Sequence, residues 1–163
     1  MSLLSFCEWV QNTEFSVAVR EGALLYPIIG GFHLLAIALF GGMLLAVDLR
    51  LLGWALQSRP VSDVVGPLRV WKWVGGAVVT VSGLMLAWCE PVKLYHSKSF
   101  WIKMALFLLV AVHALIFRRG VYDNTTKLDA APAMPAEAKL AAALSLILWA
   151  GMVFAGRLIA FDS

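Results

Sequence analysis

The sequence predicts an all-α fold, an integral membrane bundle of four transmembrane helices with an N-terminal interfacial helix. Three observations carry this. Hydrophobic residues make up 61% of the 163 residues and charged ones only 14%, a balance that the polar surface of a water-soluble domain of this size does not cover. Four apolar stretches approach the roughly 20 residues that cross a hydrocarbon core of about 30 Å. Lys and Arg gather at the ends of those stretches, where they face the membrane surface.

Residues 1–22 come first. Leu3, Leu4, Phe6, Trp9, Val10, Phe15 and Val17 interleave with polar residues at partly helical spacing, which suits an amphipathic helix lying in the interface. Glu8, Glu14 and Glu21 stand where a secretory signal would be positively charged, so this segment is expected to stay in the mature protein. The membrane domain is expected over 23–163, with helices at about 23–47, 70–88, 100–117 and 138–160. Arg59-Pro60 and Gly66-Pro67 break the chain between the first two helices, and Glu90-Pro91 ends the second. The stretch from Asp129 to Pro135, with two prolines, forms the turn before the fourth.

The formal charge of +3 does not imply nucleic acid, because its carriers are helix-end residues. Arg50, Arg59, Arg69, Lys72, Arg118, Arg119, Lys127 and Lys139 lie on one side; Arg20, Lys93, Lys98, Lys103 and Arg157 lie on the other. The positive-inside rule places the eight in the cytoplasm and both termini outside in a multi-pass membrane protein. Cys7 and Cys89 show no CxxC or CxxCH pattern, which argues against covalent haem or a thiolate metal site. Both fall near the outer face, where one disulfide and two separate thiols are the two readings.

Ionisable side chains at membrane depth are costly unless paired, wetted or bound to something, so His33 and His113 are the foremost candidates. His33 lies in GGFHLLAIALFGG on the first helix and His113 in LLVAVHALIF on the third, neither with an acid within one turn. Neutral imidazole is a strong iron ligand, and bundle interiors hold such cofactors. Haem b, one or two per chain, is the expected cofactor, with His33 and His113 as iron ligands. At about 1.5 Å per residue, His33 lies roughly 15 Å and His113 roughly 20 Å below the outer end, close enough in this count to share an iron. Interhelical hydrogen bonding is the alternative role for this pair.

Gly30, Gly31, Gly41 and Gly42 around His33, and Gly75, Gly76 and Gly83 on the second helix, permit close approach of a helix or a flat cofactor. Lys103 and Arg157 sit a few residues inside the outer ends, where they pair with haem propionates or snorkel to the surface; Asp162 competes for Arg157. Asp48 and Arg50 are expected to organise the inner rim, and His96 to be solvent-exposed. Trp71, Trp73, Trp88 and Trp101 suit an aromatic belt.

The run of His33, Gly41, Gly42 and Arg50 on the first helix, with Lys103 and His113 in KMALFLLVAVH on the third, resembles a group of four-helix bacterial membrane proteins. That group includes the copper-resistance D family and the HemJ-type protoporphyrinogen oxidases. The resemblance covers the first to the third helix, and implies haem b on His33 and His113 with Lys103 nearby. The expected function is electron transfer by a haem b membrane protein, between a quinone and a redox partner at the outer face. The alternatives are an oxidase of a porphyrinogen or other small hydrophobic substrate, a copper or small-solute permease using His33, His113, Met43, Met85 and Met152, and a cofactor-free anchor subunit.

Overall fold

A computed structural model describes residues 2–162. Among these residues the chain forms helices α1 (Leu3–Gln11), α2 (Glu14–Glu21), α3 (Leu25–Leu52), α4 (Val61–Cys89), α5 (Pro91–His96), α6 (Lys98–Phe117), α7 (Thr125–Ala130) and α8 (Ala136–Leu158). A π-helical turn, Arg118–Tyr122, extends α6, and a 3₁₀ turn, Ile159–Phe161, extends α8. Four spans of 28, 29, 25 and 26 residues result: Leu25–Leu52, Val61–Cys89, Lys98–Tyr122 and Ala136–Phe161. Each is about 38–44 Å long, more than a hydrocarbon core of about 30 Å requires. The protein is a multi-pass, all-helical membrane protein whose apolar helices face lipid.

The punctuation follows backbone chemistry. Gly53, at φ 75°, closes α3 in the left-handed conformation a C-terminal glycine adopts readily. Pro60 and Pro135 precede α4 and α8, and Pro91 opens α5, positions at which a missing N–H costs no helical bond. The N-terminal region is two helices rather than one. Asn12 and Thr13 turn their side chains back onto the carbonyls of Glu8 (2.9 Å) and Val10 (2.8 Å), ending α1. Thr13 then caps α2 by accepting from the Ser16 N–H.

Span 2 begins at Val61, well before the expected residue 70. Gly66-Pro67 reads as a break, yet Pro67 removes only one backbone hydrogen bond and its neighbours are secured in other ways. Val61, Val64 and Val65 are buried, and the Asp129 carboxylate accepts the N–H groups of Val61 and Ser62 at the new helix end.

The spans form an arc. α4 packs on α3, α3 on α8, and α8 on α6, whereas α4 and α6 hardly approach one another. At the end bearing the interhelical links 53–60 and 118–135, here the loop end, α7 and the π turn close the arc. Val47, Leu51, Val61, Val64, Val65, Val121 and Leu128 pack there with Ala138, Ala141 and Ala142. In lipid, apolar burial alone does not drive helices together, so the three fully buried alanines matter by letting backbones approach.

At the opposite end, which carries both termini, α1 and α2 lie across the bundle. Ser16 Oγ donates to the carbonyls of Trp88 (3.1 Å) and Cys89 (3.2 Å), and the Arg20 guanidinium to that of Cys89 (3.1 Å). These are carbonyls that the end of α4 leaves without intrahelical partners. Cys89 is completely buried beneath this cover, and both it and Cys7 are free thiols.

Candidate functional site

His33 and Ser82 face each other across α3 and α4, with His33 Nδ1 2.7 Å from Ser82 Oγ. Both are buried. The Ser82 hydroxyl is itself 2.6 Å from the carbonyl of Val78, one turn earlier on its own helix, and donates its single proton there. Ser82 Oγ therefore accepts from His33 Nδ1–H, and in the neutral ring the Nε2 lone pair is left free. No hydrogen bond reaches Nε2 among the described residues.

Gly83 makes the contact feasible, because a Cβ there would lie 3.2 Å from His33 Cε1. From the other side of the arc, Lys103 of α6 enters five residues from the terminal end of its span, near the depth of His33. Its Nζ rests against Gly156 of α8, where an added Cβ would be 3.3 Å away. Thus α3, α4, α6 and α8 each contribute to one level in the terminal half: His33, Ser82 with Gly83, Lys103, and Gly156.

The other glycines divide sharply. Gly41 touches the Trp149 indole, which meets Phe40 edge to face at 5.3 Å, and Gly75 and Gly76 seat Phe40. These are helix-packing positions. Among the described residues, nothing lies within 4 Å of a Cβ added at Gly30, Gly31 or Gly42.

His113 is equally buried but belongs to a different level. Its Nε2–H donates to the Ala141 carbonyl on α8 at 2.9 Å, and its ring lies against Phe117 and Tyr122. Counted from the terminal ends of their spans, His33 is eight residues deep and His113 fifteen, a difference in helix rise of about 10 Å. The structure partners His33 with Ser82 and His113 with the Ala141 carbonyl, and does not bring the two imidazoles together.

Arg157 is exposed and stacks over Phe161, with its guanidinium carbon 5.3 Å from the ring centroid. Asp162 is not its partner. That carboxylate accepts from Ser97 Oγ (2.6 Å) and the Ser99 N–H (2.8 Å), capping the start of span 3. These bonds, the Ser97 hydroxyl foremost, hold the Asp162 carboxyl below the usual carboxylate range. Asp129 plays the same part for span 2. Desolvation pushes its carboxyl up, but Ser62, the N–H groups of Val61 and Ser62, and the Arg50 charge together bring it below its ordinary value.

Asp48 and Arg50 part company. Arg50 turns out to bond the Arg59 carbonyl at 2.8 Å, while Asp48 points inward and is 2% exposed. His96 is exposed against Tyr95. Among the described residues no three His, Cys, Asp or Glu side chains gather as a metal-binding group. An apolar groove of about 450 Å³ between α3 and α8, lined by Ile37, Gly41, Leu45, Trp149 and Val153 among others, carries no ionisable side chain.

Ser82 is the residue that sequence reasoning missed. It lies seven residues from the terminal end of span 2 and His33 eight from that of span 1, so a depth count applied to polar residues of neighbouring spans pairs them.

Fold and site together define a polytopic membrane protein with an imidazole held in one orientation inside a four-helix bundle. The chain belongs to a family of unknown function, DUF6644, whose model matches residues 6–162. No curated protein and no solved structure matches it.

Proposed function

We propose that this protein binds haem b in the terminal half of the bundle, with His33 Nε2 as axial ligand, and carries electrons across part of the membrane. The observation that carries the reading is the Ser82 contact. A ligating histidine characteristically donates its other ring N–H to a fixed acceptor, which sets the tautomer and raises ligand basicity, and Ser82 Oγ is such an acceptor. The donor set fits one axial imidazole on an iron. It does not supply His113 at the same level.

Haem, when bound, supplies a one-electron Fe(III)/Fe(II) couple, and the protein tunes its potential through ligand, charge and dielectric. Lys103, near the depth of His33, would supply a cation suited to a propionate. Gly83 and Gly156 keep the flanking backbones free of side chains, and α4 and α6 make little contact with one another. The sequence resemblance to four-helix membrane haem proteins supports the same reading.

The proposal extends to localisation and partners. Eight basic residues at the loop end against five at the terminal end support termini on the outer face, and the sequence resemblance supports a bacterial inner membrane. A quinone is the membrane-soluble partner, and a redox protein docks on the outer face nearest the site.

Haem stoichiometry tests this. Protein purified from a haem-replete bacterial host should carry about one haem per chain, as one axial imidazole site implies, with a Soret band that shifts on dithionite. Lys103→Met should change the reduction potential or the band positions. A colourless protein from that host overturns the reading.

A further inference from the structure

A second polar group occupies the loop-end half of the bundle, and the haem reading makes no use of it. Each span gives it one side chain: Asp48 from α3, Lys72 from α4, Tyr122 from the π turn after α6, and Ser145 from α8. The Lys72 ammonium lies 5.3 Å from the centroid of the Tyr122 ring and within electrostatic reach of Asp48. The Ser145 hydroxyl faces both the Asp48 carboxyl and the Tyr122 phenol.

Asp48 is the anomaly in this group. It is 98% buried (2% exposed), Lys72 forms no ion pair with it, and its Oδ2 is sealed from solvent without a hydrogen-bond partner among the described residues. A carboxylate oxygen only accepts, so leaving one dry and unpaired costs several kcal/mol. Neighbouring Val47 and Leu51 are each 1% exposed, which leaves the carboxyl packed against side chains. A proton needs no cavity and removes the charge, which is the larger part of that cost.

A path to water is built into the same helices. Arg69 lies one turn from Lys72 toward the loop end, is exposed, and pairs with Asp123 at 2.7 Å; it also donates to the Tyr122 carbonyl at 3.3 Å. The ionisable groups facing Asp48 are thus Lys72, with Arg69 behind it, on α4, and Tyr122, with His113 6.3 Å behind its ring, on span 3. From α8 the uncharged Ser145 faces the group.

We propose that Asp48 is a membrane-embedded proton-binding site, loaded and unloaded from the loop-end surface through Lys72 and Tyr122. In loading, the Lys72 side chain closes to hydrogen-bond distance of Asp48, the carboxylate takes a proton from the ammonium to become a carboxylic acid, and the Lys72 amine takes its replacement from water at the Arg69–Asp123 rim. Unloading is the reverse, so one proton is exchanged and no electron moves. The site is independent of haem at His33.

Infrared titration of the whole protein in lipid nanodiscs tests it. A carboxylic C=O band that moves on transfer to D₂O is expected, lost in Asp48→Asn. Ser145→Ala trims a single hydroxyl and covers the case in which Asp48→Asn fails to fold; it should shift that band, as removal of a neighbouring hydroxyl dipole does. Lys72→Met should slow deuterium entry into the same carboxyl. Absence of any Asp48-dependent band at every pH where the protein is folded, or a band unmoved in Ser145→Ala, overturns the assignment.

Discussion

His33 is the donor and Ser82 the acceptor in the 2.7 Å contact between the first two spans, because Ser82 has given its own proton to Val78. Ser82→Ala therefore leaves a buried imidazole N–H unpaired, at about 1–3 kcal/mol in stability. The ring also loses the partner that sets its tautomer, and haem affinity should drop by about 10–100-fold. Thermal unfolding in detergent and haem titration of the two proteins measure these effects separately.

Gly83→Ala brings a methyl group to 3.2 Å from His33 Cε1, so the ring must move a few tenths of an ångström. Gly76→Ala meets only Phe40, at 3.6 Å, and is the matched control on the same helix. The expectation is near-native helicity by circular dichroism in both, with haem content or band position altered only at Gly83. Identical spectra for the two variants would count against the site.

Gly41→Ala tests packing rather than the site. The new Cβ would lie 2.5 Å from Trp149 Nε1, and the indole, wedged beside Phe40, cannot swing aside freely. Overpacking of this kind costs about 1–3 kcal/mol. Thermal unfolding followed by tryptophan fluorescence should show the loss, with haem retained below the transition.

Acid sensitivity should trace to the two aspartate caps. Asp162 and Asp129 have folded-state values below the unfolded reference of about 3.9. Their contribution is therefore complete above that reference, and is lost as pH falls below it through the folded values. Asp162→Asn and Asp129→Asn should each reduce the slope of stability against pH between about 4 and 2. A slope equal to that of the parent protein would show that neither cap is coupled to folding.

The spans were legible because a run of apolar residues long enough to cross lipid has few other uses, and the loop prolines and Gly53 punctuate it. The early start of α4 was not legible. Pro67 signals a break locally, whereas the burial of Val61, Val64 and Val65 and the cap from Asp129, 68 residues away from Val61, are tertiary facts. The histidines stood out by cost alone, but their partners did not. Ser82 is an ordinary small residue of a membrane helix until its depth is compared with that of His33. The inward turn of Asp48 was hidden because Arg50, two residues on, offered a nearer explanation, and Arg157 drew interest that Asp162 could not repay once it capped span 3.

The most direct measurement is the reduced-minus-oxidised absorption spectrum of the parent protein, His33→Ala and His113→Ala, each purified from the same haem-replete host. The geometry predicts that His33→Ala abolishes the spectrum. His113→Ala, whose Nε2 is spent on the Ala141 carbonyl, should keep its pigment with at most a small shift. Full pigment with unchanged bands in His33→Ala would contradict the assignment of that imidazole to iron.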